Sequence, residues 1–233
     1  MTINSPEFWI AFVQILWINV LLSGDNAVVI AMACRSLPDR ARKWGIILGS
    51  GVAVGLRVIF TGIVATLLAL PWLKVVGSLA LLYIAIDLAL PNEEGEEAVK
   101  ASDSLWRAVG TVALADIFMS LDNVVAVAAI ARGDLLLLVL GLGISIPLIV
   151  AGSSLVMALL DRFPILIWAG AALLGWVAGD MLLSDTAVTS RIGGVEVAEH
   201  WAYVTSAAGA AIVVIVAWCW GRLRARHQDG TAA

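Results

Sequence analysis

An aspartate beside an asparagine in the middle of an apolar run is the feature of this chain best suited to chemistry, and it occurs twice. Leu22-Ser-Gly-Asp-Asn-Ala-Val-Val-Ile30 is followed 97 positions later by Met119-Ser-Leu-Asp-Asn-Val-Val-Ala-Val127, which pairs Ser23 with Ser120, Asp25 with Asp122 and Asn26 with Asn123. Carboxylate, amide and hydroxyl oxygens are donors for hard divalent cations such as Mn²⁺, Mg²⁺ and Ca²⁺, whereas Zn²⁺ and copper sites usually recruit imidazole or thiolate. Neither His nor Cys stands among the repeated positions, and His200 and His227 fall in a loop and the tail. Both motifs sit in runs long enough to cross a bilayer, where a charged side chain costs about 3 kcal/mol on insertion scales. An acid kept at that depth is therefore a functional residue by default.

Further ionisable groups lie in apolar surroundings. Asp87, Asp116 and Asp180 join Asp25 and Asp122, against one deep base, Arg57. Burial disfavours so many ionised carboxyls, so bound cations, protons or both must balance them. Arg57 reads as a counter-ion for an empty acidic site, with snorkelling to the interface as the bland alternative. Asp116 precedes Ser120 by four residues and Asn123 by seven, which puts all three on one helical face. Asp122 needs a local unwinding to join them. Gly24 weakens the helix at the first motif, and Ser23 and Asn26 can re-bond freed backbone groups; Leu121 takes the place of that glycine in the second copy. Met32, Met119 and Met181 flank the motifs and carry thioethers, although methionine in a membrane helix is usually packing. Interhelical hydrogen-bonding glue is the competing account of the Asp-Asn pairs, and Asp87 and Asp180, near helix ends, have an interfacial one.

Composition sets the surroundings of these residues. With 61% hydrophobic and 14% charged residues and a mean hydropathy of +0.99, 233 residues cannot hide their apolar surface in one soluble core. An all-α polytopic membrane protein follows. Seven spans are expected, near 8–33, 44–69, 71–90, 106–131, 135–159, 163–182 and 201–221, with Trp9, Trp44, Trp72, Trp106, Trp201 and Trp220 at their ends, where indoles favour the headgroups. An N-out, C-in orientation places Arg35, Arg40, Arg42, Lys43, Lys100, Arg107, Arg162 and the tail arginines inside, and only Lys74, Arg132 and Arg191 outside, as the positive-inside rule favours. Cys34 and Cys219 read as unpaired thiols, and the N-terminus lacks the basic region of a signal peptide.

The duplication continues beyond the motifs. Pro71-Trp-Leu-Lys-Val-Val-Gly77, Leu81 and Asp87 align without gaps on Pro164-Ile-Leu-Ile-Trp-Ala-Gly170, Leu174 and Asp180. Two three-span units, 8–90 and 106–182, must run oppositely through the bilayer because three is odd, giving a 3+3 inverted repeat with an extra seventh helix. The expected organisation is a transporter core over 1–182, with an acidic cytosolic linker at 91–104. An extracytosolic loop at 183–200 and a seventh helix with a basic tail at 201–233 follow. The linker, with Glu93, Glu94, Glu96 and Glu97, reads as a solvated connection or a collector of cations. Asp185 is expected to cap the sixth span.

On "LLSGDNAVVIAMA", "RSLPDRARKWGIILG", "LADIFMSLDNVVAVAA", "SIPLIVAGSSL" and "LLGWVAGDMLLSD", the chain resembles the TerC family of bacterial integral membrane proteins over roughly residues 8–185. That family is related in architecture to the lysine-exporter superfamily. The resemblance implies Mn²⁺ export across the inner cell membrane, with a historical association with tellurite resistance, and a metal site drawn from Asp25, Asn26, Asp116, Asp122, Asn123 and Asp180. Asn19, Ser23, Arg57, Asp87 and Ser120 are additional or counter-ion positions. Two departures stand out: Asn19 is the first-copy counterpart of Asp116, where such proteins often carry an acid, and Asp87 occupies a place where many relatives have a base.

The expected activity is thus transport of a divalent metal ion, Mn²⁺ foremost, with proton coupling and no permanently bound cofactor. The lipid bilayer is the expected environment, nucleic acid is not an expected partner, and a homo-oligomer fits the class. Rival expectations are a Ca²⁺ or other cation exporter, and a membrane adaptor that supplies metal to secreted proteins without transporting it. Oxyanions fit poorly beside so many acids. Enzymatic activity is not expected, since no nucleophile-base pair, hydrolase motif or cofactor loop is visible.

Overall fold

The computed structural model describes residues 6–21, 24–68, 70–90, 101–131 and 134–231. Regular structure among them is helical throughout. The elements are α1 (Pro6–Leu21), α2 (Gly24–Cys34), α3 (Asp39–Leu68), α4 (Leu73–Ala89), α5 (Ala101–Ala131), α6 (Leu135–Gly143), α7 (Ser145–Arg162), α8 (Ile165–Leu183), α9 (Thr186–Ile192) and α10 (Val195–Thr231).

Among the described residues four stretches are long and apolar enough to cross a bilayer: Asp39–Ile63, Leu135–Arg162, Ile165–Leu183 and Val195–Arg222. Two bent pairs raise the number to six. Pro6–Asn19 meets Gly24–Cys34 at 49°, and Ser104–Ser120 meets Val124–Ala131 at 66°. Each bend falls at an Asp-Asn motif. The break at Gly24 follows from its low helix propensity; the second bend arises without glycine and is the larger. The remaining expected span, 71–90, overlaps α4, which at 17 residues is not among the stretches long and apolar enough to cross. All six tryptophans expected at span ends are exposed, as are many aliphatic side chains such as Ile10, Val13, Leu135 and Leu155. Such a surface suits lipid, and the protein is a multi-pass integral membrane protein.

The helices fall into two compact units. One contains α1, α2, α3, α5, α6 and α7; the other contains α4, α8, α9 and α10. Of the segments expected in each half, 8–33, 44–69, 106–131 and 135–159 lie in the first unit, and 71–90 and 163–182 in the second. Within the second unit α8 and α10 meet backbone to backbone. A Cβ on Gly175 would lie 2.6 Å from the Gly209 carbonyl oxygen, and one on Gly179 would collide with the Thr205 carbonyl. Small residues at these positions let two membrane helices approach closely enough to pack without a hydrophobic driving force.

Asp185 corrects one expectation. It does not cap the end of α8 but the start of α9, accepting from the Ala187 N–H at 2.8 Å. The same carboxylate accepts from the Trp72 and Lys74 N–H groups at 3.2 and 3.1 Å, at the entry to α4. Trp72 enters α4 with a left-handed φ of 70°, and its ring is covered by the Arg191 guanidinium at 4.4 Å. One acid therefore satisfies orphan donors of two helix starts. The stretch expected as a loop at 183–200 is largely helical, and Gly193 and Gly194, both at positive φ, turn α9 into α10. Cys34 and Cys219 are both free thiols.

Burial pushes the Asp185 carboxyl up, but the backbone N–H groups of Ala187, Trp72, Lys74 and Val75 outweigh it and hold the group below the ordinary carboxylate range. A depressed folded pKa stabilises the fold above the unfolded value near 3.9, and that contribution disappears as pH falls through the folded value. Asp185→Ala should destabilise the detergent-purified protein by about 1–3 kcal/mol at pH 7. In thermal melts the gap to the unaltered chain should narrow as the pH is lowered below that of the unfolded carboxyl.

Candidate functional site

Arg57 lies near the middle of α3 and is 1% exposed, so its five donors must find partners inside the first unit. They find three different acceptors. Nε donates to Ser120 Oγ at 3.1 Å, Nη1 to Asn19 Oδ1 at 2.6 Å and Nη2 to Asp116 Oδ1 at 2.7 Å. Asn19, Asp116 and Ser120 are themselves buried, at 1%, 3% and 0%. The pair Arg57–Asp116 is a buried ion pair, and it ties α3 to α5 at the turn before the 66° bend. Asn19 adds α1, within its last turn before the 49° bend. Thr61 Oγ1 donates to the Arg57 carbonyl at 2.7 Å one turn further along α3.

Asp116 has a second oxygen, Oδ2, that is buried and has no hydrogen-bond partner among the described residues. Asp116 also borders a small, partly open void of about 10 Å³, apolar in its exposed lining, with Asn26, Val29 and Ile30 of α2, Ala53 of α3, and Val112 and Met119 of α5. That volume is the scale of one water molecule or one bare ion. Asp25 is half-buried beside it in sequence and accepts from the Asn26 N–H at 2.8 Å. Asp25 is also close enough to feel the charges of Arg57 and Asp116.

The residues singled out in the sequence thus fall into three groups. Asn19, Arg57, Asp116 and Ser120 share one hydrogen-bonded cluster, and Asn26 lies with Asp116 on the void. Ser23 and the side chains of Asp122 and Asn123 lie outside the described residues, as do the linker glutamates. Asp87 and Asp180 belong to the second unit and are exposed there; Asp180 lines a cavity of about 270 Å³ with Ser184, Thr189 and Glu199. Among the described residues no three His, Cys, Asp or Glu side chains converge. The contact of Asn19 with Arg57 had no signal in the sequence, because it depends on how α1 packs. The place of Met119 on the void had one: it follows Asp116 by three positions on the same helix face.

The cluster is electrically asymmetric, which gives a test. A guanidinium cannot shed its proton, whereas a carboxyl that loses its counter-ion can take one up. Removing one partner of a buried pair typically costs about 3–5 kcal/mol. Asp116→Ala, which strands Arg57, should therefore lower the thermal midpoint of the purified protein more than Arg57→Ala, and Arg57→Met with Asp116→Leu should recover much of the loss.

Comparison with known proteins bears on what this arrangement belongs to. The chain matches the integral membrane protein TerC family over residues 4–228. Among curated proteins of Bacillus subtilis it is 44% identical over 179 residues to the uncharacterized membrane protein YjbE, covering 77% of this chain and 82% of that one. It is 32% identical over 186 residues to the uncharacterized membrane protein YceF, covering 76% and 72%. No solved structure matches it. A match over nearly the whole length, together with a relative this similar, establishes that the chain belongs to the TerC family of integral membrane proteins.

Proposed function

We propose that the protein is a transporter that exports a divalent metal ion, Mn²⁺ foremost, across the inner cell membrane through the acidic cluster between α1, α2, α3 and α5. The observation that carries this reading is the Arg57–Asp116 pair, 2.7 Å long and shut away from solvent. Replacing such a pair with apolar residues is often neutral or stabilising, so a buried pair is poor glue. A built-in cation on an intramembrane acid makes better sense as a stand-in for a cation that comes and goes.

In this reading the chain crosses the membrane seven times, α4 being the short span, with its N-terminus outside. The two halves form an inverted repeat whose bent first helices supply the site. Metal from the cytosol takes Asp116 from Arg57 and is joined by Asp25, Asn26, Asp122 and Asn123. Movement of the repeats then opens the site outward, and protons taken up by the carboxyls help to release the ion.

Mn²⁺ uptake into inverted vesicles, with and without a pH gradient, tests the proposal across a panel of divalent ions. Uptake should depend on the protein and rise with an inward-acid gradient. Asp25→Asn and Asp122→Asn should each abolish it while the protein remains in the membrane. Variants that still protect a manganese-sensitive strain contradict the assignment.

A further inference from the structure

We propose that Arg42 and Asp161 form a latch that holds α3 and α7 together at the end of the first unit bearing Arg35, Arg40, Lys43 and Arg162. That end is cytosolic in the orientation proposed above, and admitting an ion from it requires the latch to open. The latch rests on the transport reading and gives it a conformational step at the cytosolic face.

Arg42 lies in the first turn of α3. Its Nη1 donates to Asp161 Oδ2, near the end of α7, at 3.2 Å, and its Nη2 donates to the Arg35 carbonyl, just past α2, at 3.0 Å. Asp39, one turn earlier, is 3.8 Å away. Asp161 stands 119 positions along the chain, in the second of the duplicated halves, whereas Arg35 and Asp39 flank the short connection from α2 to α3. Arg42 therefore keeps two of these three partners when α7 moves away, and separation strands no charge. The pair is also partly wetted, the Arg42 side chain being 24% exposed and that of Asp161 54%. Ion pairs open to water are weak, as a contact broken in every transport cycle must be. Arg42 Nε is buried with no hydrogen-bond partner among the described residues, so the latched arrangement leaves one donor unsatisfied, which favours release.

Beneath the pair the helices seal the way in. Cys34, the last residue of α2, is fully buried and Leu37 nearly so. Gly45 of α3 packs against both: a Cβ there would lie 2.8 Å from Cys34 Sγ, 3.0 Å from a Leu37 methyl and 3.4 Å from Leu105 of α5. Helix α2 is buried from Val29 to Cys34, and deeper in the bundle it meets α7, where a Cβ on Gly152 would lie 3.6 Å from that of Ala27. An ion approaching from the basic end thus meets α2, α3, α5 and α7 packed together, and the Arg42–Asp161 pair fastens the α3–α7 edge.

Cys34 is a built-in reporter of this seal. In the full chain carrying Cys219→Ser, in inverted vesicles, a membrane-impermeant maleimide should label Cys34 slowly. Asp161→Asn should raise that rate by about fivefold, the change in open population expected when a weak ion pair is lost. Asp161→Glu, which keeps the charge, should stay close to the unaltered rate, as should Asp39→Asn, which removes a partner that does not reach α7. Equal rates in the unaltered and folded Asp161→Asn proteins, or an equal rise in Asp39→Asn, overturn the latch. A second arm asks whether opening is required: Arg42→Cys joined to Asp161→Cys by a reducible bis-thiosulfonate, with Cys34→Ser and Cys219→Ser, should stop Mn²⁺ uptake until reductant is added. Uptake by the linked protein overturns the latch. Absence of Mn²⁺ uptake in every form contradicts the transporter instead, and the Cys34 rates then decide the latch on their own.

Discussion

A guanidinium held out of water by three helices constrains this protein more than any other interaction. Arg57 cannot neutralise itself, and its hydrogen bonds to Asn19, Asp116 and Ser120 fix the positions of α1, α3 and α5 relative to one another. Hydrocarbon offers no alternative partner, so the helices must stay where those acceptors are. The arrangement also leaves an imbalance: Arg57 satisfies one oxygen of Asp116, and the other is buried with no hydrogen-bond partner among the described residues. A cluster held this firmly, yet incomplete on one side, is the physical basis of the function proposed for it.

The bends serve the same site. Helices α1 and α2, and the two parts of α5, each change direction at the motif residues. A straight helix presents side chains every 100° and keeps its carbonyls bonded along its axis; a bend frees backbone groups and turns neighbouring side chains toward one another. Asn19 and Ser120 stand just before these changes of direction and both accept from Arg57. The second unit is built on different physics. Its glycines bring α8 and α10 into backbone contact, and Asp185 joins the starts of α4 and α9, so it is held by close packing and helix-end hydrogen bonds.

Much of the fold could be read from the chain because lipid imposes a simple rule. Spans must be long, apolar and helical, and every expected segment falls on helix, although 8–33 and 135–159 are each two helices and 201–221 lies within a longer one, Val195–Thr231. The face shared by Asp116 and Ser120 was visible in their spacing of four, and Arg57 was conspicuous as a lone base in an apolar run. Packing hid the rest. Nothing local told that Asn19, an uncharged residue on a different helix, would complete the guanidinium's set of acceptors, or that Asp185 would reach across 111 positions to Lys74. Propensity was also a weak guide at the second motif. With Leu121 in place of a glycine there was less reason to expect a break there than at Gly24, yet the bend is 66° against 49°.

Competition between Arg57 and a metal ion for Asp116 is the claim on which the functional account turns. Diffraction from crystals of the protein grown with Mn²⁺, recorded at the manganese absorption edge, addresses it directly. The account predicts an anomalous peak against the Asp116 carboxylate, beside Asn26, with the guanidinium drawn away from Oδ1. A manganese peak elsewhere in the molecule, with the Arg57–Asp116 pair intact, would contradict it.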